Sequence, residues 1–159
     1  MTAVINRRSI LAAGVVALPS IAIAGGGALS VGSGIGMDFH KLMEQAGKHL
    51  KGMRQYLEDL DAPGARDEAA FLANQVTILM AQCVMVADQA PIPERSEEEY
   101  DGDKERFDND LRIKLTYGVT GSAELGRALL MGEDEEAVSL YGKLRKERKE
   151  GHNAFKEDD

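Results

Sequence analysis

Apolar residues return at three- and four-residue steps through four stretches of the chain, and nowhere alternate for long enough to suggest a strand. The first stretch carries Leu42, Met43, Ala46, Leu50, Met53, Leu57 and Leu60. It predicts a helix from about Asp38 to Leu60, with Asp38 as N-cap and Asp61-Ala62-Pro63-Gly64 as its stop. The second, about Arg66 to Gln89, has the stripe Ala69, Leu72, Ala73, Val76, Leu79, Met80, Cys83 and Val86, and Ala90-Pro91-Ile92-Pro93 ends it. A polar, acidic connection then passes through Ser96 to Glu99. The third, about Asp103 to Leu130, turns Phe107, Leu111, Leu115, Ala123, Leu125 and Leu129 inward, and Gly118-Val119-Thr120-Gly121 predicts a kink or break within it. Gly132 marks a turn, and a fourth helix from about Glu133 to Lys156 aligns Ala137, Leu140, Tyr141, Leu144, Arg148, His152 and Phe155 along one side. Four helices with mostly short connections predict an all-α fold, an antiparallel up-down-up-down four-helix bundle.

Composition agrees with this. Ala, Leu, Met, Glu and Lys are abundant, Trp is absent, and 159 residues suffice for one domain with a real core. A formal charge of −8 argues against nucleic acid, which needs clustered cations.

The first 24 residues read as a cleaved export signal: Arg7 and Arg8 precede an uncharged run from Ser9 that closes with Ala22-Ile23-Ala24. Arg7-Arg8-Ser9-Ile10-Leu11 has a twin-arginine flavour, and the run is too short, with Pro19 inside it, to favour a retained span. Cleavage leaves 17 basic against 27 acidic residues, a charge of −10. Residues 25–37, rich in Gly and Ser, read as a flexible leader, and residues 38–159 as the folded domain. The expected location is the periplasm, without stable membrane insertion of the mature chain.

In an up-down-up-down bundle the first helix begins, and the last helix ends, at the same end. Met43 and His152 therefore come together, both in phase with their apolar stripes. A thioether and an imidazole converging from opposite sides can ligate haem iron. The plainer pairing is a core methionine and a histidine favoured near a helix C-terminus, and phase alone leaves that reading ahead. His40 and His49 are alternative nitrogen donors, and Met37 and Met53 alternative thioethers. Cys83, the single cysteine, lies in the stripe of the second helix and reads as core.

Two spacings tip the balance. The head reads Met43-Glu44, then Leu50-Lys51; the tail reads Glu136-Ala137, then Leu144, Arg148, His152 and Phe155. Together with Gln89-Ala90-Pro91-Ile92-Pro93-Glu94, they resemble the soluble periplasmic cytochrome b562 family over about residues 41–155. The resemblance implies one non-covalent haem b per chain with Met43 and His152 as axial ligands. It puts Leu50 in the family's first-helix motif and offers Arg148 as a partner for a haem propionate. The third helix aligns only after a shift of about one turn, so either Phe107 or Leu111 would supply its wall of the pocket. The tail is also similar to cytochromes c-prime, but Arg148 and Gly151 stand where that family has the two cysteines of its covalent motif, so any haem must be b-type. The function implied is electron transfer between periplasmic redox partners, not catalysis, since two axial ligands leave no open position for substrate. The alternative is a haem-free periplasmic helical bundle acting as an interaction or sensory module.

Overall fold

A computed structural model describes residues 38–155, with side chains over residues 38–151. The expected signal and leader at residues 1–37 lie outside the described residues, and so does the side chain of His152. The fold is all-α, with no strand among the described residues.

Helix α1, Phe39–Gly52, starts where the capping pattern put it: the Asp38 side chain accepts the Lys41 N–H at 3.1 Å. That bond holds the Asp38 carboxyl below its ordinary value, so the cap is charged at neutral pH and weakens as acid protonates it. The single helix expected to Leu60 is divided. After α1 and Met53 comes the one-turn α2, Arg54–Leu57. Gly52, a poor helix former, sits at the division, and Met53 is turned fully into the core.

A turn with Gly64 at φ +80°, a left-handed conformation that suits glycine, leads into α3, Ala65–Met85. The connection after α3 is more ordered than its acidic, proline-rich sequence suggested. Two 3-10 turns, Ala87–Gln89 and Glu94–Ser96, and the one-turn α4, Glu97–Tyr100, wrap the end of the molecule. Gln89 Oε1 accepts the Phe39 N–H at 3.3 Å, and Lys104 Nζ donates to the Asp88 carbonyl at 3.1 Å. This connection is thereby tied to the starts of α1 and α5.

Helix α5 runs unbroken from Lys104 to Met131, which overturns the expected break at Gly118 to Gly121. The small residues there are contact surface. Gly118, Ser122 and Gly126 recur at four-residue steps on the face that meets α3. A Cβ on Gly118 would lie 2.5 Å from Met80 Cε, and one on Gly126 would lie 3.1 Å from Asn74 Oδ1. Between them Thr77 Oγ1 bonds Ser122 Oγ at 2.9 Å, and Ser122 Oγ also donates to the Gly118 carbonyl at 2.7 Å, so the two hydroxyls buried in the seam are satisfied. Each glycine costs the helix about 1 kcal/mol in propensity, which the closer packing of the two backbones offsets. Ala123, expected inward, is exposed instead. Gly132 at φ +72° caps α5, and α6 follows as Asp134–Phe155.

Contacts give the directions. Phe39 meets Gln89 and Gly52 meets Leu72; Gly126 meets Asn74 and Gly118 meets Met80; Gly121 meets Leu144. In the first two helix pairs rising numbers on one helix meet falling numbers on the other, so α1/α3 and α3/α5 are antiparallel; α5 and α6, separated only by Gly132 and Glu133, fold back on each other so that Gly121 meets Leu144. At the far end Arg66 grips both carboxylate oxygens of Asp134 at 2.8 and 3.1 Å, joining the starts of α3 and α6.

The core has two layers. One draws on every long helix, with Met53, Ala73, Leu125, Leu129, Ala137 and Leu144 at its centre. The other contains Phe39, Leu42, Ala46, Cys83, Phe107, Leu111 and Leu115 from α1, α3 and α5, together with Val86, Ala87, Ala90 and Tyr100 from the connection after α3. No described residue of α6 belongs to this second layer. There α6 presents Arg145 to Glu150, all charged and all exposed.

The seam predicts asymmetric tolerance. Gly118→Ala should change stability by less than about 1 kcal/mol, because only the flexible tip of Met80 must move. Ser122→Leu should cost about 1–3 kcal/mol in urea unfolding, because the fully buried position has no room to give.

Cys83 predicts a second behaviour. Burial pushes its thiol up to about 12 from an ordinary 9. Above pH 9 the unfolded chain releases this proton while the folded chain keeps it, so the thiol's contribution to stability falls as pH rises from 9 towards 12. At pH 8 a thiol reagent should label Cys83 only at the rate of unfolding, and rapid labelling of folded protein would contradict the packing described.

Candidate haem site

The residues singled out in the sequence fall mostly on one end of the molecule, where α1 begins and α6 ends. Met43 is half-buried on α1 and packs against the second core layer, beside Leu42 and Ala46. Its neighbour Glu44 points outward and pairs with Lys48 at 2.7 Å.

One turn along α1 is Gly47. A Cβ there would lie 3.1 Å from Arg148 Nη2 and 3.4 Å from Arg148 Cζ. The guanidinium of α6 therefore lies against the bare backbone of α1, in space that a side chain on Gly47 would take. This contact brings the Arg148 side chain to α1, one turn from Met43 on that helix. Moving one turn towards the shared end from Gly47 reaches Met43; moving one turn the same way from Arg148 reaches His152, within helical backbone.

The other candidates separate. Leu111 is buried in the same layer as Met43. Phe107 is also in that layer, but its ring is fully buried and already enclosed: Tyr100 stands edge-on at 5.2 Å and Lys104 Nζ lies 5.4 Å from the ring centre. Of the two wall candidates, Leu111 is the one without an aromatic and a cation packed on it. Leu50 is buried in the first layer, two turns from Met43, so its place is core at mid-height and not the end of the molecule. Among the alternative donors Met53 is fully buried in that first layer, His40 is exposed beside Phe39, and Met37 lies outside the described residues.

Sequence reasoning missed Gly47 and Tyr100. A glycine inside an otherwise strong helical pattern is a signal of close backbone approach, and Gly47 carried it. Tyr100 had no such signal; it is buried because α4 folds back over Phe107, and its hydroxyl reaches Asp110 at 3.3 Å. Burial first, then the charges of Asp110 and Glu99, pushes its phenol above the ordinary value.

The thioether of Met43 borders an apolar layer, and the Arg148 guanidinium reaches α1 one turn away. A thioether and an imidazole are donors that a b-type haem could take, with a guanidinium for an acidic edge. A separate groove of about 190 Å³ between α5 and α6, lined by Tyr117, Gly121, Leu140, Lys143 and Glu147 among others, includes none of these residues. No cluster of three His, Cys, Asp or Glu able to hold a bare metal ion occurs among the described residues. Comparison with family models, curated proteins and solved structures finds no match to this chain.

The placements separate scaffold from site. Phe107→Ala should cost about 3–5 kcal/mol without added haem, since it empties a fully buried position. Met43→Ala, at a half-buried position, should cost less than half as much by the same denaturation measurement.

Proposed function

We propose that the protein is an exported, periplasmic four-helix-bundle cytochrome that holds one haem b between Met43 and His152 and carries single electrons. The observation that supports this reading is the contact of Arg148 with Gly47, which lies one turn from each proposed ligand along its own helix. Haem supplies the one-electron iron couple.

The chain's own residues set its surroundings. The Met43 thioether, a weaker donor than a second imidazole, favours the reduced iron and raises the potential. Leu111 and Ala46 keep water from one side of the site. The Arg148 guanidinium, exposed and one turn before His152, can leave the Gly47 backbone to pair with a propionate. Held by both Met43 and His152, the group would supply outer-sphere electron transfer, not substrate turnover. The acidic surface favours a brief, salt-sensitive encounter with a basic redox partner.

Titration with haem and a reduced-minus-oxidised spectrum test this. Sharp low-spin α and β bands are expected, lost in His152→Ala and converted to a high-spin spectrum in Met43→Ala. No haem uptake, or spectra indifferent to both substitutions, would leave the chain a haem-free interaction module.

A further inference from the structure

The turn between α5 and α6 carries a contact that the haem reading does not use. Met131, the last residue of α5, stands 62 % exposed. Arg127, one turn earlier on the same helix, donates from Nη1 to Met131 Sδ at 2.8 Å. The guanidinium also reaches forward across the turn, with Nη2 3.1 Å from the Glu133 carboxylate. Arg127 thus joins the last residue of one helix to the acid that precedes the next. The same turn is closed by two backbone bonds: the Gly132 N–H donates to the Leu129 carbonyl at 3.1 Å, and the Glu133 N–H to the Ala128 carbonyl at 2.9 Å. A thioether is a weak acceptor and a carboxylate a strong one, so the Met131 arm of this clasp is much the weaker.

We propose that Met131 is a site of oxidation by peroxide, and that Arg127 takes the sulfoxide oxygen so formed, tightening the turn between α5 and α6. The sulfur lone pair attacks one oxygen of the peroxide and the O–O bond breaks. That oxygen stays on sulfur, and the other leaves as water with both peroxide protons; sulfur is oxidised and the peroxide reduced. The product replaces a weak acceptor by a polar oxygen, and a guanidinium bond to that oxygen is charge-assisted. The side chain is unbranched and exposed, so it can turn to aim the new oxygen at Arg127. Exposure selects this methionine over three others: Met53 is fully buried, Met80 lies in the seam against Gly118, and Met43 is half-buried. Met85, 69 % exposed, is the internal comparison, because residues 69–87 around it on α3 include no cation to receive an oxygen. The proposal is independent of haem binding.

Limited hydrogen peroxide treatment of the full chain without added haem, followed by peptide mass mapping and amide hydrogen exchange, reads both parts of the proposal. Met131 and Met85 should be oxidised roughly tenfold faster than Met53, or more. In Met85→Leu protein, oxidation at Met131 should slow exchange of the Gly132 and Glu133 amides by about twofold or more. In Arg127→Gln protein Met131 should still be oxidised, and the slowing should vanish. In Met131→Leu protein peroxide should leave exchange at these two amides unchanged. Oxidation of Met131 no faster than that of Met53, exchange that is unchanged or faster once Met131 is oxidised, or slowing that persists in Arg127→Gln or in Met131→Leu would each overturn the proposal.

Discussion

Close approach of α3 and α5 is the constraint on which the other contacts depend. Two backbones come together where Gly118, Ser122 and Gly126 face Ala73, Asn74, Thr77 and Met80. Hydrophobic burial alone would tolerate sliding along such a surface. The Thr77–Ser122 hydroxyl pair favours one register, because it forms only where these two positions meet, in addition to the bond each hydroxyl makes to its own helix. With this pair of helices in register, α1 lies along one partner and α6 along the other, and the starts of α3 and α6 are pinned by Arg66 and Asp134.

The same constraint reaches the candidate site indirectly. Because α1 is placed by α3 and α6 by α5, the gap between α1 and α6 is set by helices that contribute neither proposed ligand. Gly47 narrows that gap at one point, and Arg148 lies in the space so left. Nearer the end of the molecule the apolar layer is completed by α1, α3, α5 and the folded connection, while α6 runs past it with charged residues. The division of labour is plain: the first core layer holds the helices together, and the second presents an apolar flank beside Met43.

Much of the fold was legible in the sequence because amphipathic stripes, caps and glycine stops act locally. Asp38, Gly64 and Gly132 do what residues of their kind do at helix ends, and the stripe from Ala69 to Val86 is buried or half-buried throughout. The break expected in α5 failed for a reason local rules do not contain: glycine and serine that weaken an isolated helix strengthen a helix against a close neighbour. The folding of residues 87–100 over Phe107 was hidden for a related reason, since their acidic sequence is solvated on one side and only Ala87, Ala90, Pro93, Ser96 and Tyr100 are buried, without a helical period. At the site, Met43 and Arg148 were legible as positions in phase. Gly47 carried only the signal of a glycine inside a helical stripe; that Arg148 fills the space beside it was not legible, because the partner lies on another helix.

The central claim is that positions 43 and 152 face each other across one haem. Proton NMR of the haem-loaded, reduced protein with labelled methionine methyls addresses it most directly, because a methyl held over a porphyrin is displaced far upfield by the ring current. Of the seven methionines, one methyl should be displaced in this way and should vanish in Met43→Ala. If every methionine methyl stays among ordinary resonances, or if the displaced one belongs to Met53 in the core, Met43 and His152 do not hold a haem between them.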